Sequence, residues 1–86
     1  MELKIRRASG RRTRLELPET CSGVRAATCA AFALGYDVFD APWCLGWETS
    51  SQEKGLSWLG SEKEIKGMDK KDLILAILPM SRTVWN

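Results

Sequence analysis

The first seventeen residues, MELKIRRASGRRTRLEL, alternate between apolar or β-branched and charged side chains on either side of a small loop. Strict alternation with a period of two is typical of a β-strand that is buried on one face only. The two runs are separated by Ala8, Ser9 and Gly10, and glycine can take the positive φ that a tight reversal requires. The stretch therefore predicts a β-hairpin with an apolar inner face and a cationic outer face.

The segment after the hairpin has the spacing of a helix. Thr20 or Ser22 is a candidate N-cap, and Gly35 is a candidate left-handed residue at the C-terminal end. Small apolar residues recur between them at intervals of three and four, namely Val24, Ala27 or Thr28, Ala31 and Leu34. These features predict one helix over about residues 21–34, slender enough to lie close to a sheet, with a first turn that Gly23 weakens.

The remainder of the chain predicts two further strands and a compact turn. Residues 43–47 alternate and predict a short third strand, and the polar residues 49–55 predict a mobile loop. Residues 56–60 predict a turn that places Leu56 and Leu59 in the core. Residues 73–78 are continuously apolar and end at a proline, which predicts a fully buried central strand.

Together these elements predict an α+β domain, in which a mixed sheet of four to five strands is covered on one face by a single helix. The first and last strands are expected to pair in parallel, because a long crossover that contains the helix separates them. We expect the domain to span residues 1–80, and residues 81–86 to form a tail or the start of a linker.

This sequence resembles the ubiquitin-like domains, which have the β-grasp fold. The resemblance rests on the pattern M-x-L-x-I-R from Met1, Ser9-Gly10, T-x-L-E-L from Thr13, Val24-Arg25, Leu56-Ser57 and DLILAIL at 72–78. The stretch LELPET and the pattern GxxxxDLIxxIL are most similar to the N-terminal ubiquitin-like domains of F-box-only proteins. The chain lacks the C-terminal Gly-Gly of conjugatable members, so the resemblance implies a module that is not transferred to other proteins.

The resemblance also implies a function and a surface for it. It implies a non-covalent interaction module of the ubiquitin–proteasome pathway, which docks a ubiquitin receptor, a ligase subunit or a proteasome component. Ubiquitin is bound through an apolar patch, which by position corresponds here to Ala8, Cys44, Ile74 and Ala76. Because Leu73 and its alternate neighbours point inward, Ile74 and Ala76 must face the other way. The alternative role for such a surface is contact with another domain of a longer protein.

Four cations on the outer side of the hairpin form a second candidate surface. They are Lys4, Arg6, Arg12 and Arg14. Like charges on adjacent strands mildly destabilise the fold. The same charges would speed the association of an acidic partner and favour it over other proteins. This favours an alternative function, a β-grasp heterodimerisation scaffold of the Phox/Bem type that grips an acidic loop. The competing interpretation is a solvated face that Glu2 and Glu16 partly neutralise.

Three cysteines and no histidine limit the chemistry that is available to this chain. An odd cysteine count without paired spacing argues against a disulfide framework and favours a reducing compartment. Zinc sites need about four closely spaced ligands, and a cysteine nucleophile needs a base such as histidine. We therefore expect no catalytic residue, metal or cofactor, and an intracellular protein of the cytoplasm, the nucleus or both.

Charge and hydropathy limit the possible partners. The net charge of +2 implies no general affinity for nucleic acid, and no aromatic stacking platform accompanies the arginines, so nucleic-acid binding ranks third. The first residues lack the apolar run of a signal peptide and the longest apolar run is too short to cross a bilayer, so we expect no membrane partner. We also expect the isolated domain to be monomeric. Trp43 and Trp58 are expected in the core, and Trp47 and Trp85 are candidates for exposed anchors.

Overall fold

The structure is a computed structural model that describes residues 1–7, 9–37, 42–49 and 55–77. Its elements in chain order are β1 (Glu2–Arg6), β2 (Arg12–Glu16), α1 (Gly23–Ala33), β3 (Trp43–Glu48), β4 (Leu56–Trp58), a 3₁₀ turn (Met68–Lys70) and β5 (Asp72–Ile77). Ala8, Trp85, the tail at 81–86 and most of the predicted loop at 49–55 lie outside the described residues.

The strands form one sheet in the order β2-β1-β5-β3-β4. β1 and β5 pair in parallel, and all other neighbours are antiparallel. This confirms the predicted α+β fold class, a mixed sheet with α1 on one face in a ubiquitin-like β-grasp arrangement. No helix in the described part of the chain is long and apolar enough to span a membrane.

The hairpin forms as the alternation predicts. Leu3 pairs with Leu15 across β1 and β2, and Leu3 and Ile5 are almost completely buried. Gly10 has a φ of +94°, and its amide donates to the carbonyl of Arg7 over 2.9 Å. The glycine therefore supplies the backbone conformation that closes the loop.

The ends of α1 are also as predicted, and so is its buried face with one exception. The Ser22 hydroxyl caps the helix by accepting from the amide of Arg25, and Gly35 follows its end with a φ of +84°. The residues buried against the sheet are Gly23, Ala26, Ala27, Ala30, Ala31 and Leu34. Val24 was expected among them but is 42% exposed, because at 100° per residue it lies about a quarter turn from the centre of that face.

Gly23 begins α1 and connects it to the 60–65 segment. Its amide donates to the carbonyl of Lys63, and the next amide donates to the carbonyl of Ser61. A Cβ at this position would lie 2.6 Å from the carbonyl oxygen of Gly60. Only a glycine therefore allows the helix to approach the 60–65 segment closely, which brings Ile65 into the core.

β5 is the central strand, as its apolar composition predicts, and it lies beside β1. The prediction that it is fully buried was wrong, because α1 covers one face of the sheet and Ile74 and Ala76 on the other face are partly exposed. Leu73 and Leu75 are 0% and 1% exposed and pack under α1 with Leu45. The prediction for Leu56 was wrong, because residues 56–58 form an edge strand in which Leu56 pairs with the exposed Glu48 and is 43% exposed. Leu59 is buried as expected.

Candidate interaction surface

The face of the sheet opposite α1 carries the side chains that alternate with the core residues, and we call it the outer face. The register places one row of positions across all five strands, in the order Arg12, Arg6, Ile74, Gly46 and Trp58. The β2–β1 side of this face is cationic and the β5–β3–β4 side is largely apolar at its centre. We call these two parts the cationic half and the apolar half.

The apolar half brings together three of the four residues predicted as an apolar patch. Ile74 and Ala76 lie two residues apart on β5, and Cys44 pairs with Ala76 across β3 and β5. All three side chains are partly exposed. The Cys44 thiol donates to the carbonyl of Ala76 over 3.4 Å, which fixes its position. Ala8, the fourth residue, lies outside the described residues.

Trp58 belongs to the apolar half, and its assignment to the core was wrong. It pairs with Gly46 in the register and is half-buried on the outer face, because Gly46 has no side chain to keep the indole away from β3. A Cβ on Gly46 would lie 2.6 Å from Cε3 of the Trp58 ring. A glycine inside a strand, here Gly46, is the sequence signal for such a close approach.

The other described tryptophans face the core. Trp43 is 5% exposed, which confirms its predicted burial. Trp47, expected as an exposed anchor, is only partly exposed and packs against the core, with the ammonium of Lys71 4.8 Å from its ring centroid. The aromatic side chain that this surface offers is therefore Trp58.

The cationic half contains all four predicted basic residues on one face of the hairpin. Lys4 pairs directly with Arg14, and Arg6 pairs directly with Arg12. Lys4, Arg12, Arg14 and Asp72 line most of a shallow cleft of about 250 Å³. Two like-charged pairs on neighbouring strands disfavour the folded state slightly, so the packing of the fold does not account for them.

Arg6 differs from the other three cations because acidic residues of the domain compensate its charge. Its guanidinium contacts Glu48 over 2.6 Å and Asp72 over 3.3 Å, linking β1 to β3 and β5. Of the acids expected to neutralise this face, Glu2 approaches Arg14 only to 4.0 Å, and Glu16 pairs with the N-terminal amine. Lys4 and Arg12 form no ion pair within the described residues.

The Cys21 thiol is buried in the core. Burial is the main cause that raises the pKa of the Cys21 thiol, and neighbouring Cys29 adds to it, so the thiolate is disfavoured. The described cysteines form no disulfide. Within the described ranges, no group of three or more histidine, cysteine, aspartate or glutamate side chains is placed to hold a metal ion.

Comparisons of the chain with models of protein families, with curated proteins and with solved structures found no match. The case for a function therefore depends on the residues of the outer face themselves.

Proposed function

We propose that this domain is a non-covalent protein–protein interaction module that binds its partner on the outer face of the sheet. The observation that carries the proposal is the group of partly exposed apolar side chains on neighbouring strands, Cys44, Trp58, Ile74 and Ala76, beside uncompensated cations. Water-facing apolar groups of this kind mark interaction sites more often than they serve folding. An aromatic anchor next to aliphatic side chains is typical of binding hot spots.

Within that function, we propose a ubiquitin-like domain of the ubiquitin–proteasome pathway, similar to those at the N-termini of F-box-only proteins. The sequence patterns of the hairpin and of β5 support this, as does the observed strand order. The partner would be a ubiquitin receptor, a ligase subunit or a proteasome component in the cytoplasm or nucleus. The domain would act by docking alone, without catalysis.

A second candidate function is supported by the cationic half. Lys4 and Arg12 border the 250 Å³ cleft, and neither forms an ion pair within the described residues. An acidic loop of another protein would supply the missing negative charge and would be attracted over long range. This is the binding mode of a heterodimerisation scaffold of the Phox/Bem type.

Amide chemical-shift mapping separates the two functions. The labelled domain would be titrated with a ubiquitin-receptor fragment, an acidic-loop peptide and an oligonucleotide, each at about 50 and about 300 mM salt. The first function predicts that the receptor fragment shifts Cys44, Ile74 and Ala76, with little dependence on salt. The second predicts that the acidic peptide shifts Lys4 and Arg12, with affinity that falls steeply as salt is added.

Matched charge variants complete this experiment. Arg12→Gln should weaken the binding of an acidic partner. Arg25→Gln removes an equal charge from the exposed side of α1 and should leave that binding unchanged. Shifts confined to α1 with any of the proteins would contradict both functions. Binding of the oligonucleotide alone would replace them with nucleic-acid recognition.

A further inference from the structure

A separate cluster of polar side chains lies at the loop end of the hairpin, on the helix side of the sheet. The Tyr36 ring has the guanidinium of Arg7 4.7 Å from its centroid and that of Arg11 5.6 Å from it. The Tyr36 hydroxyl lies 3.4 Å from the hydroxyl of Ser9. Two guanidiniums and two hydroxyls from distant parts of the sequence thus meet at one place. We call Arg7, Ser9, Arg11 and Tyr36 the hairpin-tip cluster.

Neighbouring residues hold the side chains of Arg7 and Tyr36 in place. Arg7 donates from Nη1 to the carbonyl of Leu75 over 3.1 Å and lies 5.2 Å from the ring of the buried Trp43. The Tyr36 and Trp43 rings are 5.5 Å apart. The amide of Arg7 donates to the carbonyl of Arg11 over 2.8 Å, which fixes the backbone at both sides of the loop. Such a site needs little reorganisation to bind a ligand.

The cluster has an excess of positive charge and of hydrogen-bond donors. Neither Arg7 nor Arg11 forms an ion pair with any described residue. The buried Nε of Arg7 has no hydrogen-bond partner among those residues either. The hydrogen bond with Ser9 and the nearby guanidiniums of Arg7 and Arg11 lower the pKa of Tyr36.

We propose that the hairpin-tip cluster binds the phosphoryl group of a phosphomonoester. Such a group carries a charge of about −1.5 to −2 at neutral pH and three strong acceptor oxygens. It therefore matches two guanidiniums together with the one hydroxyl proton that the Ser9–Tyr36 hydrogen bond leaves free to donate, whereas a carboxylate has one charge and two oxygens. Arginine forks also bind phosphate oxygens in pairs, which favours this ligand further. The site is on the helix side of the sheet, so it does not depend on the function of the outer face.

A titration with inorganic phosphate at constant ionic strength, balanced with chloride, tests this site. The proposal predicts saturable amide shifts at Ser9, Gly10, Arg11 and Tyr36. Arg11→Gln changes an exposed side chain without touching the core and should weaken phosphate binding about tenfold, since it removes a charge-assisted contact. Tyr36→Phe keeps the ring and should weaken binding about threefold, in line with the loss of a single hydrogen bond.

Control arms separate this site from general charge attraction. Arg25→Gln removes an equal charge from α1 and should leave phosphate affinity within about twofold, as expected for an exposed charge outside the site. A neutral peptide with one phosphoserine should bind the same residues. If the phosphoserine peptide binds more tightly than inorganic phosphate, the phosphoryl group recognised is that of a phosphoprotein. If the two bind equally, it is that of a small phosphate compound. Shifts that do not saturate, that centre on Lys4 and Arg14, or that acetate reproduces equally well would overturn the proposal.

Discussion

The inner and outer faces of the sheet use alternate residues of the same strands but differ in what they contribute. The inner face is aliphatic, with Leu3, Ile5, Leu45, Leu73 and Leu75 at most 1% exposed beneath an alanine-rich helix. The outer face holds two cations on each hairpin strand, each directly opposite a cation of the other strand, and a tryptophan that packs over a glycine. The inner face stabilises the fold through the burial of apolar surface. The outer face has features that folding does not require, so its composition points to function.

Two adjacent residues of β5 test this difference most strongly. Leu73→Ala removes a fully buried side chain and should lower the free energy of unfolding by about 3 kcal/mol, through lost burial and a cavity. Ile74→Ala, on the partly exposed outer face, should cost only about 1 kcal/mol. Urea denaturation of both variants measures the difference. Equal losses would mean that the outer face is as much a part of the core as the inner one.

The contact of α1 with the 60–65 segment gives a prediction in which two effects have opposite signs. Helix propensity alone makes Gly23→Ala stabilising by about 1 kcal/mol. The added Cβ would meet the Gly60 carbonyl oxygen at 2.6 Å, so we expect a net destabilisation of about 1–2 kcal/mol from overpacking. Ala33→Gly, at an exposed position of the same helix, reports the propensity effect by itself. A more stable Gly23→Ala variant in thermal or urea denaturation would contradict the close packing.

Among the cations of the outer face, we expect Arg6 to stabilise the fold and the others to serve binding. Arg6→Gln removes contacts to Glu48 and Asp72 and should destabilise the fold by about 0.5–1 kcal/mol at low salt. Lys4→Gln should be neutral or slightly stabilising, since it relieves repulsion with Arg14. Denaturation at low and high salt compares them, and the difference should shrink as salt is added. If Lys4→Gln is the more damaging variant, the division is wrong.

The smallest expected effect concerns the single tyrosine of the chain. Tyr36 should titrate below the ordinary tyrosine pKa of about 10, and Arg11→Gln should move its pKa upward. Because the folded-state pKa is the lower one, the stabilisation is fully present above the unfolded pKa and is lost as pH falls through the folded pKa. Ultraviolet absorbance of the phenolate follows the titration directly. If the pKa of Tyr36 is unchanged in Arg11→Gln, Arg11 does not belong to the hairpin-tip cluster.

What the sequence predicts well here is encoded locally. The hairpin follows from a period of two with Gly10 in its loop, the helix ends follow from Ser22 and Gly35, and the central strand follows from an uninterrupted apolar run. The same alternation places Lys4, Arg6, Arg12 and Arg14 on one face. In the apolar half, the pairing of β3 with β5 places Cys44 next to Ala76, on the same face as Ile74.

What the sequence did not predict depends on pairings between distant segments. The exposure of Leu56 and the position of Trp58 follow from β4 being an edge strand against β3. The requirement for Gly23 follows from a neighbour nearly forty residues away, Gly60. The compensation of Arg6 likewise requires Glu48 and Asp72 to be brought across the sheet. No local periodicity contains this information.

The most direct test of the outer face as a docking surface is the variant Ile74→Asp, measured for both stability and binding. Phe32→Asp is the matched control, because it introduces the same charge at a 77% exposed apolar residue of α1, away from the sheet. We expect Ile74→Asp to remain folded and to lose at least about tenfold in affinity for the ubiquitin-receptor fragment, as for a charge placed in an apolar hot spot. Phe32→Asp should bind normally. Unchanged affinity of a folded Ile74→Asp variant would contradict the account.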